Sequence, residues 1–234
     1  MDDYDLIYKK LLKNYSNQGW WPSIGFDGKN PTKTGVIKGY HPGFYEFPRN
    51  TTELFEIIIG AILTQNTSWT SVEKSLINLR EYINFDAQEL LDFSKNNENK
   101  FKEAIKPAGY YNQKFNYLIN ISEFYLSLNG NTPSREEILN VKGVGNETAD
   151  SILLYGYGEK QFVIDAYTKR IFSYLGLIKE KDSYLKIKNL FEENFNGDVK
   201  DFQEYHALIV EHGKRHYSKK PYGVNDKLLN NFKK

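Results

Sequence analysis

Apolar residues recur every three or four positions along most of the chain, the spacing that places them on one face of an α-helix. The pattern predicts helices over residues 5–15, 51–64, 70–84, 86–93, 100–108, 112–128, 166–175, 184–194 and 201–213. Thr51 or Thr52 is the predicted cap of the second of these helices. A further helix is predicted after Ser134, because Ser134 and Glu137 have the spacing of a capping box. We therefore expect an all-α fold.

Residues 19–51 interrupt this pattern with six glycines and four prolines. They predict a long loop with a short hairpin over residues 35–45. Loops of this length are commonly functional or mobile. The short apolar run at 162–164 is predicted to be a strand or an extended connector.

The composition excludes several kinds of site but does not identify a function. The chain of 234 residues carries 31 basic and 30 acidic side chains, so any surface for nucleic acid must be local. It has no cysteine, which excludes disulfides, thiolate metal sites and cysteine nucleophiles. No apolar run reaches the roughly 18 residues of a membrane span, and the N-terminus does not resemble a signal peptide. We expect a cytoplasmic monomer that is not bound to membranes.

The histidines near the C-terminus raise the question of a metal site. His206, His212 and His216 have no carboxylate at ligand spacing in the sequence. We therefore predict that the protein binds no metal through them.

The segment 135–157 contains two helical patterns on either side of Lys142-Gly-Val-Gly145. Two glycines around one apolar residue permit a tight hairpin, and Val144 is expected to point into the core. The backbone amides after Gly145 suit a phosphate group. Gly-Val-Gly alone is a common turn, so this pattern predicts a helix–hairpin–helix without fixing its ligand.

The residues that follow extend the pattern to a known family. Segment 141–149 reads VKGVGNETA, and segment 162–170 reads FVIDAYTKR. In this order they resemble the helix–hairpin–helix, Gly/Pro-rich, aspartate superfamily typified by endonuclease III. The resemblance implies that Asp165 is the catalytic carboxylate and that Arg170 is the basic residue that follows it.

Further segments extend the resemblance to residues 51–221. Segment 60–67, GAILTQNT, resembles the helix-end loop of the family whose glutamine wedges into the DNA stack. Three further segments also resemble the family, namely KPAGYYNQK at 106–114, YH at 205–206 and HGK at 212–214. The resemblance implies a two-lobed endonuclease III-like fold with a DNA cleft between the lobes. The residues that it implies for DNA binding are Gln65, Asn66, Lys142, Gly143, Val144, Gly145, Thr148 and Arg170.

The same resemblance suggests three regions along the chain. Residues 1–50 are expected to add a helix and the Gly/Pro-rich loop to the second lobe and its pocket. Residues 51–160 form a central helical lobe with the helix–hairpin–helix at 135–157. Residues 161–234 carry the aspartate and the C-terminal helices of the second lobe.

Two departures from the endonuclease III pattern bear on the chemistry. The bifunctional members, which also have lyase activity, carry a lysine two residues after the second hairpin glycine, and this lysine attacks the sugar. Here that position is Glu147. A carboxylate cannot form an imine with the sugar, so we expect a monofunctional glycosylase. Relatives also hold an iron–sulfur cluster through four cysteines after the His-Gly motif, and this chain has none.

The departures agree with one cluster-free branch of the family. Trp20-Trp-Pro22, Glu147 and His212-Gly-Lys214 resemble the 3-methyladenine DNA glycosylases of the endonuclease III type. This implies that an alkylated purine is the damaged base. It also implies a base pocket that includes Trp20, Trp21, Lys214 and Glu147. The insert at 25–49 departs from that branch and lies beside the expected pocket.

Several assignments keep a structural alternative. Asp165 is also a suitable N-cap for the helix that starts at Ala166, a role compatible with catalysis. Adjacent indoles such as Trp20 and Trp21 also anchor loops to cores, and Lys214 could be an exposed charge. Gln65 could lie on a solvated loop.

The functional hypotheses share one partner, double-stranded DNA with a damaged base. The first is a base-excision glycosylase without a cofactor, apart from the monovalent cation that the family typically holds at the hairpin carbonyls. Alternatives within the fold are a uracil, thymine-mismatch or oxidised-base glycosylase, or a lyase that uses another lysine such as Lys142. A DNA-binding module without activity is the non-enzymatic alternative.

Overall fold

The computed structural model describes residues 2–29 and 39–234, and within these ranges it forms helices joined by loops. The helices are α1 (Asp3–Tyr15), α2 (Thr51–Leu63), α3 (Trp69–Arg80), α4 (Ala87–Asn96), α5 (Glu98–Ile105), α6 (Tyr111–Ser127), α7 (Arg135–Leu139), α8 (Asn146–Ser151), α9 (Ala166–Tyr174), α10 (Tyr184–Asn194) and α11 (Val199–His216). Short 3₁₀ turns lie at Lys106–Ala108 and Asn230–Phe232, and a π-helical turn at Ile152–Gly156 continues α8. The all-α prediction is confirmed.

Several helices begin at a residue whose side chain accepts a backbone amide of the first turn. Asn50, not Thr51 or Thr52, caps α2, because its side chain accepts the Glu53 amide at 2.9 Å. The predicted capping box at Ser134 and Glu137 is present at the start of α7. A second box, formed by Asp198 and Asp201, starts α11 two residues before the predicted boundary.

The segment predicted as a hairpin falls partly outside the described residues. Residues 35–38 are not described, and residues 39–45 form turns and bends rather than a strand. The apolar run 162–164 is an extended connector, which is one of its two predicted forms. No described helix has the length and apolar character needed to cross a membrane.

The chain divides into two compact units. Unit 1 comprises Met1–Trp20, Gly28–Tyr45 and Glu159–Lys234, and unit 2 comprises Trp21–Asp27 and Glu46–Gly158. The predicted central region of 51–160 thus lies almost wholly in unit 2, which also takes in Trp21–Asp27.

Unit 2 is built around α2, which buries ten of its thirteen residues. Helices α3 and α6 and the π-helical turn pack against it, and α4 and α5 pack against α6. The isoleucines of α2 explain this position, because Ile57, Ile59 and Ile62 are fully buried on different sides of the helix. A helix that is apolar all round is a core helix.

Unit 1 is built around α11, which packs against α1 and α9. Its core is an aromatic cluster in which the centroids of contacting rings lie 4.1 to 6.5 Å apart, formed by Tyr4, Phe162, Phe172, Phe191, Phe202 and Tyr205. Much of the chain's high aromatic content therefore serves packing rather than recognition.

A buried carboxyl on α2 makes the stability of unit 2 dependent on pH. Glu56 is 3% exposed, and its Oε1 accepts the Ile24 amide at 2.7 Å. Burial raises the pKa of Glu56 to about 7. The folded protein therefore holds a proton on Glu56 between about pH 4.5 and 7 that the unfolded chain releases. The stabilisation from this proton is complete below the unfolded pKa and is lost as the pH rises through 7.

We predict that Glu56→Gln removes this dependence. From pH 5 to pH 8 the wild-type protein should lose up to about 3 kcal/mol of unfolding free energy that the variant retains, because each pKa unit corresponds to about 1.4 kcal/mol. Urea unfolding of both proteins across this range measures the difference. Glu103→Gln, at an exposed carboxyl, is the matched control. Parallel pH profiles for Glu56→Gln and the wild type would contradict the prediction.

Candidate active site

Asp165 stands at the junction of a buried connector and α9. Phe162, Val163 and Ile164 are at most 1% exposed. The Phe162 amide donates to Glu192 and the Ile164 amide donates to the Tyr184 hydroxyl. These contacts hold the backbone immediately before Asp165 in place.

The Asp165 carboxylate also caps α9. Its Oδ1 accepts the Thr168 amide and the Thr168 hydroxyl, both at 2.7 Å. Among the described residues Oδ2 accepts no hydrogen bond, and the residue is partly exposed. Capping thus fixes one oxygen and leaves the other available, so the two roles predicted for Asp165 are compatible.

The charge of Asp165 affects the pKa values of two basic side chains on α11, His206 and Lys214. Burial lowers the pKa of His206, which is 4% exposed, and Asp165 opposes that shift. Burial also lowers the pKa of Lys214, while Glu211 and Asp165 raise it. Burial thus favours the neutral form of the His206 imidazole, and the Asp165 charge favours the protonated form.

Trp20 completes this cluster within unit 1. Its ring meets the His206 ring edge-on at a centroid distance of 5.9 Å. The Lys214 ammonium lies 5.8 Å from the centre of the Trp20 ring. Trp20 thus contacts both His206 and Lys214, and Asp165 acts electrostatically on the same two side chains.

The turn before Trp20 is fixed by Glu204, a buried carboxylate on α11. Glu204 accepts the Gln18 amide at 2.6 Å, the Gly19 amide at 3.1 Å and the Tyr45 hydroxyl at 3.1 Å. Burial raises the pKa of Glu204. Gly19 has a φ of 68°, and a Cβ there would lie 2.1 Å from the Pro42 nitrogen. Trp20 is therefore held by its backbone, and only glycine fits before it.

Sequence analysis did not assign His206 or Glu204 to the site. Both lie on α11 together with Lys214, and His206 and Lys214 are separated by eight residues, which places them on one helix face. This spacing was a usable signal for His206. The contact of Glu204 with Gln18 joins residues 186 positions apart, so no local pattern contained it.

Unit 2 holds the predicted helix–hairpin–helix, formed by α7, α8 and the residues between them. Arg135 on α7 donates to both oxygens of the fully buried Asp150 on α8, at 2.7 and 3.1 Å. The same guanidinium donates to the Asn146 side chain at 2.7 Å. This bidentate ion pair fixes α7 against α8.

The hairpin itself is shaped by Gly143. Its φ is 103°, and a Cβ would lie 2.3 Å from the ring of Tyr117. The Asn120 side chain donates to the Lys142 carbonyl at 3.0 Å, which ties the hairpin to α6. Lys142 and Gly145 are exposed. The expectation for Val144 is corrected, because it is half-buried rather than inserted in the core.

Gln65 is attached to the hairpin. Its amide nitrogen donates to the Gly143 carbonyl at 2.9 Å and to the Thr148 hydroxyl at 3.1 Å. Gln65 is half-buried, and its role as a wedge in the DNA stack stays a prediction. The next residue, Asn66, is exposed with a φ of 54°. Behind the loop, buried Lys114 donates to the Leu63 and Ala108 carbonyls at 2.8 Å.

Two predicted site residues, Trp21 and Arg170, make contacts that hold the fold together. Trp21 is 3% exposed and packs in unit 2 against Trp69 and Tyr155, so its burial favours a core role over a base contact. Arg170 donates to the Tyr217 carbonyl at 3.0 Å and lies 4.9 Å from the centre of the Tyr222 ring. These contacts engage Arg170 in holding the C-terminal segment.

Glu147 is exposed on the first turn of α8 in unit 2. It stays a predicted pocket residue.

The stretch in which relatives carry an iron–sulfur cluster has a different donor set. With no cysteine in the chain, it cannot supply the thiolates that such a cluster needs. It instead brings together His212, His216 and Asp226. The premise that these histidines lack a carboxylate is corrected, because Asp226 comes from the C-terminal loop.

Comparison with known proteins agrees with this geometry. The sequence pattern of the HhH-GPD superfamily base excision DNA repair proteins matches residues 59–196. A putative DNA repair glycosylase of Methanocaldococcus jannaschii is 41% identical over 92% of this chain and 88% of its own. The endonuclease III of Sulfolobus acidocaldarius is 30% identical over 70% of this chain and 74% of its own.

Among solved structures, the 3-methyladenine DNA glycosylase MagIII of H. pylori, bound to 1,N6-ethenoadenine, is similar. It aligns over 92% of this chain and 98% of its own, with a TM-score of 0.64 and 25% identity. An endonuclease III–DNA covalent intermediate aligns over 92% of this chain and 86% of its own, with a TM-score of 0.68 and 16% identity. The chain therefore belongs to the HhH-GPD superfamily of base excision DNA repair proteins and is a DNA glycosylase of endonuclease III-like fold.

Proposed function

We propose that this enzyme is a monofunctional glycosylase that hydrolyses the N-glycosidic bond of an alkylated purine extruded from duplex DNA. The observation that carries the proposal is that the Trp20 ring contacts both His206 and Lys214, the two α11 side chains whose pKa values respond to the Asp165 charge. The similarity to a 3-methyladenine DNA glycosylase supports the choice of base.

The carboxylate supplies the chemistry. Breaking the N-glycosidic bond develops positive charge on the sugar, and a nearby anion stabilises that charge or deprotonates the attacking water. In Asp165, Oδ1 is held by Thr168, so Oδ2 is the oxygen that acts. Asp165 in turn raises the pKa of Lys214, which favours the charged ammonium beside the Trp20 ring.

Base recognition is assigned to Trp20. An alkylated purine is cationic and electron-poor, and it binds an indole face by stacking and cation–π attraction. Such a base leaves as a neutral molecule and needs little help from a general acid. A site in which burial favours the neutral form of the histidine suits that chemistry.

Double-stranded DNA is the proposed partner, and the hairpin is the proposed contact. Lys142 and Gly145 are exposed on a hairpin whose backbone is fixed from behind by Asn120 and Gln65. We propose that the enzyme acts as a monomer and without an iron–sulfur cluster or other required cofactor. A monovalent cation at the hairpin carbonyls stays a prediction.

We predict that Asp165→Asn lowers the rate of base release by on the order of a hundredfold or more, because the variant loses the stabilising charge. Asparagine also caps helices, so folding and DNA affinity should change little. Single-turnover release from a duplex with one 3-methyladenine measures the effect. Asp198→Asn, a matched change at the N-cap of α11, controls for the loss of a capping charge. Unchanged release in Asp165→Asn would overturn the catalytic assignment.

A panel of duplexes, each with one damaged or mismatched base, tests the substrate. We expect release of alkylated purines and no release of uracil, mispaired thymine or oxidised bases. Trp20→Ala should raise KM or lower kcat for the alkylated base at least tenfold, whereas Trp20→Phe should retain most activity because it keeps an aromatic face. Release confined to uracil or thymine would favour the alternative within the same fold.

Borohydride trapping on abasic duplex DNA tests the monofunctional assignment. Glu147 stands where lyases of the family carry the imine-forming lysine, so the wild-type protein should give no covalent adduct. An endonuclease III serves as the positive control. An adduct with the wild-type protein would contradict the assignment, and its loss in Lys142→Gln would identify the lysine responsible.

A further inference from the structure

A second cluster of polar side chains lies in unit 1, at the C-terminal end of α11. His212 and His216 are one helical turn apart and therefore share a face. Asp226 reaches them from the C-terminal loop. One donor atom from each of the three residues lies within 4.8 Å of the others.

The pair at the centre of this cluster is fully enclosed. His212 is not exposed at all and Asp226 is 1% exposed, and the His212 Nε2 lies 2.8 Å from the Asp226 Oδ2. The rings of His212 and His216 are 4.7 Å apart. Among residues 2–29 and 39–234, no hydrogen bond engages a ring nitrogen of His216, which is partly exposed.

A second layer of contacts orients the donors. The Tyr15 hydroxyl lies 2.9 Å from the His212 Nδ1, so Nε2 is the nitrogen that faces Asp226. The amides of Leu228 and Leu229 donate to the Asp226 Oδ1 at 3.0 and 3.1 Å. The Tyr217 hydroxyl donates to Oδ2 at 2.8 Å. Metal ligands in proteins are oriented by outer partners of this kind.

The donor chemistry selects the class of ion. Two imidazoles and one carboxylate suit Zn²⁺ and related divalent transition ions, whose bonds to these ligands are about 2.0–2.2 Å long. At these bond lengths two ligands of a tetrahedral ion lie about 3.3 Å apart. Binding therefore requires the His212 Nε2 and the Asp226 Oδ2 to separate slightly from 2.8 Å, and the His216 donor to come about as close to both. The ion replaces the proton between His212 and Asp226, while the Nδ1–H donates to Tyr15.

We propose that His212, His216 and Asp226 form a binding site for one divalent transition-metal ion such as Zn²⁺. The ion joins the end of α11 to the C-terminal loop. It is separate in role from the glycosylase reaction, because none of the three residues belongs to the Asp165 cluster. The competing interpretation is a hydrogen-bonded His212–Asp226 pair that takes up no ion.

Co²⁺ and Zn²⁺ test the site in the full-length untagged protein after treatment with a chelator. We expect one Co²⁺ per chain with the visible absorption of a tetrahedral site, displacement of Co²⁺ by Zn²⁺, and a higher Tm in the presence of Zn²⁺. His216→Asn should weaken binding at least tenfold and abolish both the absorption and the Tm increase. This variant leaves the His212–Asp226 pair intact, so it should fold, and circular dichroism checks that it does.

His41→Asn is the matched control, because it removes a different imidazole of unit 1 whose Nδ1 contacts the Phe44 carbonyl. It should bind Co²⁺ as the wild type does. The proposal is overturned if the wild-type protein takes up no Co²⁺, or if His216→Asn binds as tightly as the wild type. It is also overturned if His41→Asn and His216→Asn weaken binding equally, since the ion would then be held by scattered histidines.

Discussion

The burial of helix α11 is the constraint on which unit 1 depends. Residues 202–213 form an unbroken buried run, and it includes the charged or polar side chains of Gln203, Glu204, His206, Glu211 and His212. A buried polar group without a partner costs several kcal/mol, so each such group imposes a position on another part of the chain. Glu204 fixes the turn before Trp20, and His212 fixes the C-terminal loop through Asp226. Two buried polar groups of one helix thus position the turn before Trp20 and the C-terminal loop.

Sequence patterns were sufficient for the elements and for the residues within single motifs. The spacing of apolar residues predicted the helices because helical faces are local. The hairpin and Asp165 lie within thirty residues, so their order carried the family resemblance from which the role of Asp165 is expected. The cap at Asn50 was missed because three polar residues in a row can each cap, and only the backbone conformation selects one.

The interactions that sequence analysis could not predict are those between distant segments. Gln65 binds Gly143 across 78 positions, and Tyr15 contacts His212 across 197. Trp21 and Trp20 are adjacent, yet one is enclosed in unit 2 and the other meets His206 in unit 1. Residue type is the same at both positions, so only the fold distinguishes core from candidate pocket.

The support of Trp20 has a consequence for how such a site can diversify. Glu204 holds the turn through the backbone amides of Gln18 and Gly19, and these two hydrogen bonds do not depend on the side chain at position 20. Substitution at position 20 therefore leaves this anchor of the turn in place. New base preferences can arise there while the backbone that presents the side chain is retained.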